Sequence, residues 1–389
     1  MQYDFDKVTD RRGTDCLKYD FAKRRGLPED VLPFWVADMD FPTAQPILDR
    51  LHQTVDHGIF GYTESGEAYF KAVHDWYLSR FGWETRPEWL VKTPGVVFSL
   101  ATAVRAFTEK DDAVLIQQPV YYPFSQVIRD NGRKLIDNPL QLVDGHYEID
   151  FEDFEQKIAE NDVRLFILCS PHNPVGRVWR EEELRRMGEI CLRHGVTVVA
   201  DEIHSDFVYP GNQHKVFASL SSELRDITVT CTAPSKTFNL AGLQISNIFI
   251  PNRELRHAFK DELSSEGYSQ INTMGMTACR AAYEEGSEWL GQLKSYLYGN
   301  LRFAEDYLKE EIPQIRLIKP EGTYLIWLDC RGLGLTAAEL DRRVIYDAKL
   351  WLDGGSIFGP EGEGFQRINI ACPRSTLTEG LERLKKIVY

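Results

Sequence analysis

Lys236 lies in "TCTAPSKTFNLAGLQIS", Thr230 to Ser246, among small, hydroxyl-bearing and apolar residues, and no acidic residue occurs between Ile227 and Pro251 to pair with it. Lysine is usually a solvated surface residue. The flanks argue otherwise here, because "DITVTCTA" (226–233) and "LQISNIFI" (243–250) both read as buried strands and leave Lys236 in the short turn just past the first of them. Strand ends are where α/β proteins place their chemistry. A lysine in a partly desolvated pocket gives up its proton readily, and the free amine adds to carbonyls. The most familiar carbonyl partner of such a lysine is pyridoxal phosphate, and that chemistry needs four other groups: an anion for the pyridine nitrogen, a donor to the ring hydroxyl, a flat side chain on the ring, and amide donors for the phosphate.

Candidates for each follow in the sequence. "VTVVADEIHSDF" ends an apolar strand on Asp201, a carboxylate able to hold a proton on a ring nitrogen, although an acid at a strand end also caps turns. "SPHNPVGRV" sets Asn173 between two prolines, a rigid amide donor or simply turn chemistry. "QPVYYPF" offers Tyr121 or Tyr122 as the stacking ring. "TPGVVFSLATAV" opens a helix on Gly95, so that the amides of Gly95, Val96 and Val97 are free to receive a phosphate. In "GFQRINIACPR" Arg367 is the candidate partner for a substrate carboxylate; Arg374 competes, but an arginine within a strand is held more rigidly than one in the loop that follows.

These residues need a scaffold, and the region from about 92 to 251 supplies one by alternating strands with helices. The helix "REEELRRMGEICLRHG", with Leu184, Met187, Ile190 and Cys191 on one face, is the clearest case. The pattern predicts an α/β fold, a mostly parallel sheet covered by helices on both faces. After Asn252 the pattern changes to long helices up to about 311, two strands around Pro320-Glu321-Gly322, a strand holding Arg367, and a last helix opened by the capping-box pattern Thr376-x-x-Glu379. Three units are expected: an N-terminal arm over 1–45, a large cofactor-binding domain over 46–285, and a smaller α+β domain over 286–389.

Composition narrows the function. The chain of 389 residues carries 45 basic and 59 acidic side chains, a net charge of −14, and its basic residues are scattered, which argues against nucleic acid and anionic membranes as partners. Seven cysteines form no C-x-x-C pair and sit mostly in apolar runs, the pattern of free thiols in a reducing compartment. With a charged N-terminus and no long apolar stretch, a cytoplasmic protein is expected, and the nine histidines form no metal-binding motif.

The order strand-tyrosine, strand-Asn-Pro, strand-aspartate, strand-Ser-Lys, strand-arginine resembles the fold-type I aminotransferase superfamily of pyridoxal phosphate enzymes. "WVADMDFPTA", "HGIFGYT", "SPHNPVGRVW", "DEIHSDFVY", "APSKTFNLAGLQ" and "GPEGEGFQRIN" resemble one branch, the MalY/PatB group of cystathionine β-lyases, and the likeness covers essentially the whole chain. It implies that Lys236 carries the cofactor, Tyr121 stacks on the ring, Asn173 binds its hydroxyl and Asp201 its nitrogen. Ser235 and the amides of Val96 and Val97 would contact the phosphate, Arg367 the substrate α-carboxylate, and Tyr62 would enter the neighbouring subunit's site in a homodimer. The implied activity is a carbon–sulfur β-lyase that cleaves L-cystathionine or related S-substituted cysteines to a thiol, pyruvate and ammonia; the alternatives are an aminotransferase and a family member with an added protein-binding, regulatory role. Two positions depart from the wider superfamily. Gln244 stands eight residues after the lysine, where many aminotransferases hold the phosphate with arginine, and His204 replaces a tyrosine three residues after the aspartate, with a hydrogen-bonded core histidine and a place beside the cofactor as equal readings.

Overall fold

The computed structural model describes residues 1–388. Fifteen strands occur among them: β1 (Leu32–Pro33), β2 (Leu90–Thr93), β3 (Ala113–Ile116), β4 (Lys134–Asp137), β5 (Gln141–Val143), β6 (His146–Glu148), β7 (Val163–Cys169), β8 (Thr197–Asp201), β9 (Thr228–Thr232), β10 (Ser246–Phe249), β11 (Arg316–Ile318), β12 (Leu325–Asp329), β13 (Leu350–Trp351), β14 (Asp353–Gly354) and β15 (Phe365–Asn369). Seven of them form the central sheet in the order β2-β10-β9-β8-β7-β3-β4, parallel except for β10, which runs against both its neighbours. β3, β9 and β10 are buried along their whole length, as expected of strands covered on both faces.

The covering helices include α1 (Gln45–His57), α2 (Glu67–Phe81), α3 (Val96–Phe107), α4 (Pro123–Asp130), α5 (Phe151–Asn161) and α6 (Glu181–His194). All four apolar residues expected on one face of α6 are buried. α7 (Ser222–Asp226) leads into β9, and α8 (Pro234–Thr237) is a single turn carrying Lys236, so the lysine sits on a short helix and not in an irregular turn. α9 (Arg253–Ser265), α10 (Thr273–Glu285) and α11 (Ser287–Glu311) fill the long helical region. Among the described residues no helix is long and apolar enough to cross a membrane.

The second sheet is antiparallel, in the order β11-β12-β15-β14, with α12 (Ala337–Arg342) and α13 (Arg374–Leu384) beside it. Helix α13 corrects the expected capping box: it begins at Arg374 behind Pro373, two residues before Thr376, with no side-chain cap. Proline presets a dihedral suited to a helix start, and Glu379 pairs instead with Arg383 at 2.6 Å. Leu377, Leu381 and Leu384 are buried as the pattern required.

Two features bind this second sheet and the arm to the central one. Gly176, at φ 74°, lets the loop after β7 approach Pro320 so closely that a Cβ would lie 2.6 Å from its ring, and its carbonyl accepts the amides of Glu321 and Gly322. The arm adds β1 parallel to β13, then turns inward through "WVADMDF". There Asp40 receives Arg11 at 2.8 Å, the buried Lys18 ammonium at 2.9 Å and the Tyr19 hydroxyl at 3.1 Å, while Arg11 also grips Asp38 at 2.6 Å. Removing one partner of a buried ion pair strands the other charge. Asp40→Ala is therefore expected to lower stability by about 3–5 kcal/mol, read as a fall in the urea midpoint; an unchanged midpoint would show that the cluster does not fix the arm.

Candidate active site

The carboxyl ends of the parallel strands converge on one cavity of about 200 Å³, lined among others by Ala37, Gly95, Val96, Val97, Tyr121, Asn173, Asp201, His204, Ser235, Lys236 and Gln244. Each arrives by a short route: Gly95 follows β2, Tyr121 follows β3, Asn173 follows β7, Asp201 ends β8, Lys236 follows β9, and Gln244 precedes the reversed β10 at the same edge. Chain topology thus gathers residues spread over more than 200 positions.

The lysine is fixed from both sides. Thr237, next in the chain, donates to the buried Asp206 at 2.8 Å and anchors α8, while the Lys236 Nζ donates to the Ala37 carbonyl at 2.9 Å. That carbonyl also accepts the Tyr324 hydroxyl at 3.0 Å, and Asn239 holds the arm by accepting the Met39 amide and donating to the Met39 and Phe41 carbonyls. Burial pushes the Lys236 ammonium down to about 8; Asp38 and Asp201 oppose the shift and Arg367 adds to it.

Asp201 faces the lysine's charge. One of its oxygens accepts the Ile203 amide at 3.1 Å, and burial pushes the carboxyl up to about 7, against the pull of that amide and of Lys236. His204 is buried, its Nδ1 has no hydrogen-bond partner among the described residues, and burial together with Lys236 and Arg367 depresses it to about 3, so the ring is neutral at ordinary pH. It is therefore not a core histidine satisfied by hydrogen bonds; it lines the cavity.

At the opposite end, α3 starts behind Gly95 with no side-chain cap, and the first bond within the helix is from Ser99 to the Gly95 carbonyl, which leaves the amides of Val96 and Val97 without partners inside the helix. Thr93 pins this start by bonding the hydroxyls of Ser99 and Ser246, each at 2.6 Å. Of the two candidate tyrosines, Tyr121 lines the cavity while Tyr122 packs against Phe358.

Arg367 is buried in β15, where it donates to the Asn173 Oδ1 at 2.9 Å and the Trp35 carbonyl at 2.7 Å and pairs with Asp353. Its rival Arg374 is turned away, bonded to Asn300 at 2.8 Å and stacked over Phe303. Tyr62 lies outside the cavity of its own chain: it is 93% exposed, on a wide groove bordered by α1 and α10. The residues that sequence reasoning missed are Asp353, Tyr324 and the Ala37 carbonyl. Only the fold brings Asp353 to Arg367 and Tyr324 and the Ala37 carbonyl to Lys236, and a backbone carbonyl leaves no signature in residue types.

The chain matches the family model for aminotransferase class I and II over residues 29–384. It belongs to that family. It is 48% identical to the cystathionine beta-lyase PatB of Bacillus subtilis over 381 residues, 98% of each chain. The structure of cystalysin from Treponema denticola, which contains a pyridoxal 5'-phosphate cofactor, matches with a TM-score of 0.96 at 38% identity, covering 100% of this chain and 99% of that one. A pyridoxal phosphate-bound C-S lyase from Staphylococcus hominis gives 0.93 at 34%, covering 100% and 98%. Within the family, then, this chain groups with the PatB-type lyases.

The raised Asp201 carboxyl has a cost that can be measured. Between pH 3.8, its ordinary value, and about 7 the folded protein keeps a proton that the unfolded chain has released, so this residue's contribution to stability falls as pH rises through that window. Asp201→Asn keeps an acceptor for the Ile203 amide and removes the charge. In cofactor-free protein it is expected to unfold at higher urea than the parent at about pH 8 and at the same urea near pH 4; equal midpoints at both would place Asp201 in a solvated setting.

Proposed function

We propose that this protein is a pyridoxal phosphate-dependent carbon–sulfur β-lyase that cleaves L-cystathionine or a related S-substituted cysteine to a thiol, pyruvate and ammonia. The observation that carries this reading is the placing of Lys236, with its depressed ammonium, in one cavity with Asp201, Asn173 and the start of α3. The lyases named above, similar over the full chain, support it.

The residues present fit the cofactor. Asp201 has an oxygen free to meet a ring nitrogen, the amides of Val96 and Val97 with the Ser235 hydroxyl suit a phosphate, and the Tyr121 ring offers a stacking face. Asn173 is oriented by Arg367: because its Oδ1 accepts the guanidinium, its amide hydrogens are left to donate to a ring oxygen. Gln244 lines the phosphate end as a neutral side chain. His204 stays neutral beside the ring and adds no charge of its own.

When bound, pyridoxal phosphate supplies an aldehyde that takes up the substrate amine and a conjugated ring that accepts the electron pair left at Cα. Lys236 would hold the cofactor through its amine, and as a free amine it would be the base placed to take the Cα proton. Asp201 keeps a proton on the ring nitrogen. Arg367 holds the substrate α-carboxylate and so aims the Cα–H bond at Lys236. With that electron pair beside it, the Cβ–sulfur bond would break to give the thiolate, and hydrolysis of the remainder would give pyruvate and ammonia.

An aminotransferase would use the same lysine and return the proton to the cofactor, and the family model's name keeps that second reading in view. Incubating the holoenzyme with L-cystathionine or S-methylcysteine, without any 2-oxo acid, is expected to give thiol and pyruvate in equal amounts. Lys236→Ala should lower that rate about a thousandfold or more and lose borohydride-fixed cofactor. Turnover only after a 2-oxo acid is added would establish the aminotransferase instead.

The cytoplasm, a large domain over 46–285 with a small one over 286–389, and a homodimer complete the proposal. Val55, Ile59, Phe60 and Tyr62, each more than half exposed, form an apolar patch on one segment, which suits cover by a second copy with Tyr62 reaching its cavity. If Tyr62→Phe and Lys236→Ala are each nearly inactive, refolding them together makes about half the dimers mixed, each with one intact site, so recovery should approach roughly a quarter of wild-type activity. No recovery despite verified subunit exchange would confine Tyr62 to its own chain.

A further inference from the structure

Arg367 is more heavily engaged than a waiting carboxylate receptor should be. Both hydrogens of its Nη2 are used, one by the Trp35 carbonyl at 2.7 Å and one by Asp353, and Nη1 donates to Asn173 at 2.9 Å. Its Nε is buried with no hydrogen-bond partner among the described residues, and the centre of the Phe358 ring lies 4.9 Å from the guanidinium carbon, covering the planar group's face. A two-bond grip on a carboxylate needs two parallel N–H groups from one edge of the guanidinium, either Nε with Nη2 or Nη1 with Nη2. Each edge requires an Nη2 hydrogen. An entering carboxylate must therefore take one from Trp35 or from Asp353.

Trp35 is the fixed partner, since the hydrogen bond there comes from a backbone carbonyl in the arm, two residues beyond the β1–β13 pairing. Asp353 is the one whose side chain can turn. It sits directly across the ladder from Arg367 in the β14–β15 pair, so its carboxylate stays beside the guanidinium even when the bond between them is broken. Among the described residues Arg367 is the only hydrogen-bond partner of its side chain, and its charge reaches the phenols of both Tyr121 and Tyr122. Two carboxylates on one buried arginine repel each other.

Resting on the reading that Arg367 receives the substrate α-carboxylate, we infer that Asp353 competes for that arginine and holds down the enzyme's affinity for amino-acid carboxylates. The competition makes Asp353 a specificity-determining residue: it penalises a second negative charge at the α-carboxylate and leaves ligands without one untouched.

The test uses the holoenzyme and two ligands that cannot eliminate, L-alanine and L-alaninamide, with dissociation constants read from the shift in visible absorption of the bound cofactor. Asp353→Asn keeps the shape and one acceptor and removes the charge. It is expected to bind L-alanine about tenfold more tightly than the parent and L-alaninamide with unchanged affinity. Asp353→Ser, a second variant without the charge, should behave alike. Equal or weaker L-alanine binding in both variants overturns the inference, and so does an equal shift for the two ligands, which would mark a general change in the site. Arg367→Lys is run beside them and is expected to weaken L-alanine alone. If Arg367→Lys leaves L-alanine unchanged, the assignment of the carboxylate to Arg367 fails first; if it weakens L-alanine while the Asp353 variants do not tighten it, only the competition fails.

Discussion

The hydrogen bond from Lys236 to the Ala37 carbonyl joins points 199 residues apart, and much of the site depends on it. Three parts of the chain meet at that oxygen: α8 through Lys236, the arm through Ala37, and the second sheet through the Tyr324 hydroxyl. Each is held independently, by Thr237 on Asp206, by the Arg11-Lys18-Asp40 cluster, and by the β12–β15 ladder. A carbonyl is a neutral acceptor, so it orients the amine without stabilising its charged form as strongly as a carboxylate in contact would. That choice leaves burial as the first cause of the depressed lysine, with Asp38 and Asp201 acting only at longer range.

Asn173 performs a similar service for the other half of the site. By accepting from Arg367 it links β15 to the loop after β7, and its backbone carbonyl accepts the Tyr121 amide at 3.0 Å. One residue thus ties Arg367, the Tyr121 ring and its own amide, the groups proposed for the carboxylate, the stacking face and the ring hydroxyl, into a single rigid unit. Small displacements of any one would be felt by the other two.

Much of this was legible in the sequence because it is local. Apolar runs ended by Asp201, Asn173, Tyr121 and Lys236 report strand ends directly, and strand ends in a parallel sheet share one edge. The β-strand position of Arg367 also set it apart from Arg374, which the fold commits to Asn300. What the sequence hid is long-range. Asp353 lies in "LDGGS", which reads as a turn, and becomes Arg367's neighbour only through the register of a two-residue strand. The helices α1 and α2 were not read from the sequence, although Pro46 in the first turn of α1 is an ordinary helix-start residue. At α13 a capping pattern was present, and Pro373 outcompeted it by fixing the chain direction earlier.

The proposed phosphate end follows from what the cavity lacks in side-chain charge. Among the described residues that line it, Lys236 is the only cation, and Gln244 stands where an arginine serves in many relatives of the wider superfamily. The remaining positive potential there comes from the first turn of α3, whose amides point along the helix axis with partial charge that falls off within a turn. Backbone donors cannot swing or be screened as a flexible arginine can, so their worth depends on keeping α3 in place. The Thr93 hydroxyl, bonded to both Ser99 in α3 and Ser246 in β10, supplies that restraint. A site built in this way exchanges the strength of a formal charge for the fixed geometry of the central sheet, whose strands β3, β9 and β10 are buried along their whole length.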